Sequence, residues 1–143
     1  MKKLFVLFSL LLFSCTEDAS VDSNINLNDE VWIKYNQSIT FGTEPMSLKF
    51  NDLLSDSRCP SNVVCVWQGE ATLSFKVFKP GTYESNVRIK IDGYVGKMNT
   101  DAHKFVDTLG YRFTLMHLDP YPHTDSIRQL SDYIALLKIR KLE

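Results

Sequence analysis

Ala71, Leu73, Phe75 and Val77 alternate with Glu70, Thr72, Ser74 and Lys76, and this period of two constrains the fold more than any other feature of the chain. Successive strand residues point to opposite faces, so the stretch predicts a strand with one face buried and one face wet. Val87, Ile89 and Ile91 repeat the pattern against Arg88, Lys90 and Asp92, predicting an antiparallel partner across the connection from Pro80 to Asn86. Shorter runs behave the same way: Val31, Ile33 and Tyr35, then Ile39 and Phe41 beyond an Asn36-Gln37 turn, then Leu48 and Phe50 beyond Gly42-Thr43-Glu44-Pro45. Tyr111, Phe113 and Leu115 form another inward face. That strand must stop at Pro120-Tyr121-Pro122, where two prolines cannot donate to a ladder. Both X-Pro bonds are expected trans.

The last strand, Asp132 to Lys141, sets Tyr133, Ala135, Leu137 and Ile139 on one side and Ile134 and Leu136 on the other. Apolar on both faces, it is expected at the centre of a sheet. Residues 93–110 predict a long connection with one edge strand, and residues 123–130 a loop. No stretch carries the helical stripe that a βαβ crossover needs. The fold class expected is therefore all-β: an antiparallel β-sandwich, immunoglobulin-like or Greek-key, of about seven or eight strands with little or no helix. A small barrel is the alternative.

The first fourteen residues stand apart. Lys2 and Lys3 precede an apolar run from Leu4 to Phe13, and Ser14-Cys15 closes it. This is the layout of a secretory signal, too short to span a bilayer as a helix of about 20 residues. Leu12-Phe13-Ser14-Cys15 resembles the lipobox of bacterial lipoproteins, in which the cysteine is lipidated and becomes the new N-terminus; Phe13 is bulkier than the usual occupant of its position. The expectations are a cleaved signal over residues 1–14, lipidation at Cys15, a polar acidic tether over 15–28 and one domain over 29–143. Multiple acyl chains would hold the protein on a membrane surface without crossing it. The expected location is the bacterial envelope, on the outer membrane at its periplasmic or cell-surface face.

Removal of the two signal lysines leaves fourteen basic against seventeen acidic residues, a net charge near −3 with no basic block. Nucleic acid and anionic lipid, which recruit clustered Lys and Arg, are disfavoured as ligands. The length suits one domain with a real core.

Asp56-Ser57-Arg58-Cys59-Pro60-Ser61-Asn62-Val63-Val64-Cys65-Val66-Trp67-Gln68-Gly69-Glu70-Ala71 interrupts the alternation. With Cys15 acylated, Cys59 and Cys65 are the even pair left in an oxidising compartment, and a disulfide is their expected state. The spacing is wider than that of a C-x-x-C redox pair, so the bond reads as structural. The run from Val63 to Trp67 reads as packed structure, with Trp67 beneath the strand that starts at Glu70. Asp56 is expected to cap the loop, Arg58 to pair with Asp56 or Glu70 or to lie over Trp67, and Gly69 to form a bulge or take a positive φ. The functional alternative sets Arg58, Trp67 and Tyr121 outward as a binding surface.

These residues, Asp56 to Pro60, Val63, Cys65, Trp67, Gly69 and Ala71, with Leu118, Pro120-Tyr121-Pro122 and Asp132-Tyr133 further on, resemble a family of small exported bacterial proteins, many of them lipoproteins. The resemblance covers most of residues 46–141. It implies location and fold and lends no activity.

His117 and His123 flank one loop, with Asp119 and Asp125 near them, and are the weak candidates for a metal site beside His103. No metal or other cofactor is expected, and no G-x-S-x-G, H-E-x-x-H or S-x-x-K motif marks a nucleophile or a base. The function expected is a non-enzymatic envelope lipoprotein, a binding or accessory module for a protein or glycan partner, held to the membrane by its lipid. The alternatives are a metal-binding protein or enzyme using His117 and His123, and an inhibitor of secreted hydrolases that presents the Cys59–Cys65 loop with Arg58 exposed.

Overall fold

The computed structural model describes residues 20–94 and 104–143. The expected signal over 1–14, Cys15, the start of the expected tether and His103 lie outside the described residues. The described residues form nine strands: β1 Ser20–Ile25, β2 Glu30–Lys34, β3 Ser38–Phe41, β4 Ser47–Asp56, β5 Glu70–Phe78, β6 Ser85–Asp92, β7 Lys104–Thr108, β8 Tyr111–Asp119 and β9 Ile134–Lys141. A three-residue 3-10 turn at Leu130–Asp132 is the one helical element among the described residues.

The strands form two sheets, one in the order β1-β3-β4-β5-β6 and one in the order β2-β9-β8-β7. The fold is the expected all-β sandwich, antiparallel in every pair but one. Alternation along the strands aims one residue in two at the space between the sheets, where a single core includes Ile33 of β2, Phe50 of β4, Leu73 and Phe75 of β5, Ile89 of β6, Phe113 and Leu115 of β8 and Leu137 of β9. Central β5 buries all four of its predicted inward residues. It also buries Ser74 on the opposite side. As expected, β5 and β6 form an antiparallel pair, β9 lies inside its sheet between β2 and β8, and β7 is an edge strand.

Two expectations are corrected. The tether does not extend to residue 28, because Ser20–Ile25 pairs in parallel with β3 at the sheet edge, with Ser20 opposite Ser38 and Ile25 opposite Phe41. An edge strand is held by backbone hydrogen bonds on one side and needs no apolar period, which is why a polar segment hid it. Ile25 at its end and Leu27 beyond it pack against the core. The Asp119-Pro120 peptide is cis where trans was expected. Tyr111, Phe113 and Leu115 of β8 are buried as expected, and beyond them a bulge between Leu115 and His117 turns Leu118 inward as well.

Candidate binding surface

The end of the sandwich at which β4 leaves and β5 begins carries the disulfide loop. Its legs continue the ladder between the two strands: the Ser57 amide donates to the Glu70 carbonyl at 2.9 Å and the Cys59 amide to the Gln68 carbonyl at 2.8 Å. Gly69 bends the returning leg with a φ of 67°. A side chain there would also run into the carbonyl of Ser57, so both the backbone conformation and the close approach call for glycine. Between the legs, Cys59 and Cys65 are bonded with their Cα atoms 6.0 Å apart, as the sequence predicts. A second latch comes from the Pro120-Tyr121-Pro122 loop. Ser61 donates to the Pro122 carbonyl at 2.9 Å, and Asn62 and Thr124 exchange hydrogen bonds at 2.6 and 3.1 Å.

Under this loop lies Arg58, 3% exposed. Its Nε and Nη2 both donate to Asp56 at 2.8 Å, the bidentate geometry that makes Arg–carboxylate pairs strong. Nη1 donates to the Leu118 carbonyl at 2.7 Å and Nη2 to the Pro120 carbonyl at 3.2 Å. The guanidinium stands 4.7 Å from the centre of the Tyr121 ring, which in turn stacks on Tyr94 at 4.3 Å. Asp56 accepts three further bonds, from the Arg58 amide at 3.3 Å, from Arg128 at 2.7 Å and from the Tyr133 hydroxyl at 3.0 Å. Burial alone would raise the Asp56 pKa, but the hydrogen bonds and charge of Arg58, with the Tyr133 hydroxyl, outweigh it and hold the carboxyl below its ordinary value. Burial, followed by the charge of Asp56, pushes the Tyr133 phenol up.

Residues far apart in sequence thus meet in one network. The Asp56-Ser57-Arg58 run, the Leu118-to-Pro122 element and Tyr133 are three separate segments of the chain, and they converge here. Of the three pairings considered for Arg58, that with Asp56 is present, while its aromatic neighbour is Tyr121 in place of Trp67. Arg58 and a half-buried Tyr121 therefore belong to the support of the loop, not to its outer surface. An inhibitor that inserts an exposed Arg58 is contradicted by the same burial.

What faces outward is the run that reads as packed in the sequence. Val64 is 94% exposed, Val66 106% and Trp67 76%, with Val63 exposed to a lesser degree. The expectation that Trp67 lies beneath β5 is overturned. The physical reason is that the short run from Cys65 to Gln68 is tied to Cys59 at both ends, by the disulfide and by the hydrogen bond from the Cys59 amide to the Gln68 carbonyl, so Trp67 rides on a leg held away from the core. Arg58 fills the place beneath. The sequence did hold one clue, because residues 63–67 lie between a Pro-Ser-Asn turn and Gly69 with no polar alternation, which a half-buried strand would need. From Cys59 to Gly69 no residue is charged, in a chain with 23% charged residues. Beside Trp67 an open depression of about 430 Å³ is lined by Ser57, Gln68, Glu70 and Asp92. Both carboxylates are paired, Glu70 with Lys90 at 2.6 Å and Asp92 with Lys104 at 3.0 Å.

His117 and His123 are not brought into one ligand set. His117 Nε2 lies 3.1 Å from Asp119, and its ring meets Trp32 edge-on at 5.9 Å. His123 Nδ1 accepts the Asp125 amide at 3.3 Å. Among the described residues, no three His, Cys, Asp or Glu side chains are placed to hold a metal.

No protein-family model, curated protein or solved structure matches the chain.

Proposed function

We propose that the chain is a non-enzymatic, lipid-anchored module of a bacterial cell envelope, which meets its partner through the tip of the Cys59–Cys65 loop. The observation that carries this reading is the exposure of Val64, Val66 and Trp67 on a loop latched at both legs. Exposed apolar side chains gathered on one element mark an interaction surface, and a loop already held in shape loses little conformational freedom on binding. Trp is also among the residues that dominate contact energy. Three valines give the hydroxyls of a glycan nothing to bond, so the favoured partner surface is apolar. The signal-like start, Cys15 and a closed disulfide support an exported, membrane-held location.

The test is a photo-crosslinking residue placed at position 66 in the full chain in its native envelope, with position 83 as control. Tyr83 is as exposed as Val66 but lies in the connection between β5 and β6, at the opposite end of the sandwich. Adducts are expected from position 66 and not from position 83. Equal yields from both positions would reject the loop as the contact surface.

A further inference from the structure

The loop and the anchor point to the same end of the molecule. β1 runs parallel to β3, with Ser20 opposite Ser38 and Ile25 opposite Phe41. Ser38 lies opposite Lys49 and Thr40 opposite Ser47, and β4 then runs from Ser47 to Asp56, where the stapled loop stands. The chain therefore comes into β1 from the loop end of the sandwich and runs away from it. Cys15 precedes Ser20 by five residues, a reach of at most about 17 Å. The seven steps of β4 from Lys49 to Asp56 span about 23 Å, so at full extension Cys15 comes within about 6 Å of the level of Asp56, the base from which the loop stands out.

We infer that the apolar surface met by Val64, Val66 and Trp67 is the bilayer that holds the Cys15 lipid, the loop inserting at headgroup depth. The inference rests on the proposed lipid anchor and on the loop as contact surface, and it names the occupant. Two observations select lipid. Residues 59–69 carry no charge, so none has to be desolvated on entering the interface, and no salt bridge is broken, since Arg58 is already paired beneath. The tip also combines aliphatic side chains with one indole, the ring that settles at the membrane–water boundary. The lack of free basic residues in the loop makes the contact independent of anionic lipid and of salt. Insertion at this end would orient the sandwich with β4 and β5 rising from the membrane and the β5–β6 connection pointing away.

The test uses the full lipidated chain carrying Trp32→Phe, which leaves Trp67 as the sole indole of the two in the sequence. It is reconstituted into phosphatidylcholine vesicles, plain or brominated on the acyl chain near the headgroup. Trp67 emission is expected to shift to the blue and to fall about twofold or more with bromolipid, at low and high salt alike. Val64→Asp with Val66→Asp should abolish that loss, and these fully exposed positions leave the fold intact by circular dichroism. Chain that floats with the vesicles yet shows equal emission in plain and brominated lipid overturns the inference and leaves the anchor standing. Chain that does not float overturns the anchor reading and the inference with it. Shielding of Trp67 only after envelope proteins are added back makes the occupant a protein and overturns the inference alone.

Discussion

Arg58→Ala is expected to lower the unfolding free energy by about 3 kcal/mol, at the lower end of the cost of breaking a buried ion pair. The loss is not that of the pair alone. Asp56 keeps Arg128 and Tyr133, which limits the damage, but the carbonyls of Leu118 and Pro120 lose their donors and Tyr121 loses the cation over its ring. The measurement is urea unfolding, with a lower midpoint at unchanged slope. A change under about 1 kcal/mol would show that the network under the loop contributes little. The sign of the pH dependence follows from Asp56. Its folded pKa lies below its unfolded value, near 3.8, so its contribution is present above that value and is lost as pH falls through the folded pKa. The gap between native chain and variant should accordingly narrow below about pH 4.

Replacing Cys59 and Cys65 together with serine is expected to cost about 2.4 kcal/mol, the chain-entropy value for a ring of seven residues. A second consequence separates this change from Arg58→Ala. The legs remain laddered through Ser57 and Cys59, and the latch from Ser61 to Pro122 remains, so the sandwich should fold while the tip gains freedom. Amide exchange should rise in residues 60–67 and stay unchanged in β5 and β8. Uniform acceleration across the sheets would place the staple in the core of the fold and not in its loop.

Most of the sandwich was legible because strands with one wet face declare themselves by period. Ala71 to Val77, Val87 to Ile91 and Ala135 to Ile139 all point inward as read. Two features were not legible for the same reason. β1 is held through its backbone at an edge, so its side chains carry no period. The run from Val63 to Trp67 has apolar side chains without burial, and hydrophobicity alone cannot distinguish a buried run from one held out on a stapled loop. The Asp56–Arg58 pair was accessible from the sequence as a local contact. Its bonds to Leu118, Pro120, Tyr133 and Arg128 span 60 to 77 residues and arise only when the two sheets close. Those contacts explain why Arg58, in the sequence a candidate for the outer surface, is the piece that holds that surface up.

The staple and its ionic base hold an apolar tip out in water. Acrylamide quenching of Trp67 tests it most directly, in a full chain carrying Cys15→Ser and Trp32→Phe, in buffer without lipid. The account predicts red-edge emission and a quenching constant at least about half that of free tryptophan, in keeping with an indole 76% exposed. Blue-shifted emission that acrylamide hardly reaches would contradict it and return Trp67 to the core.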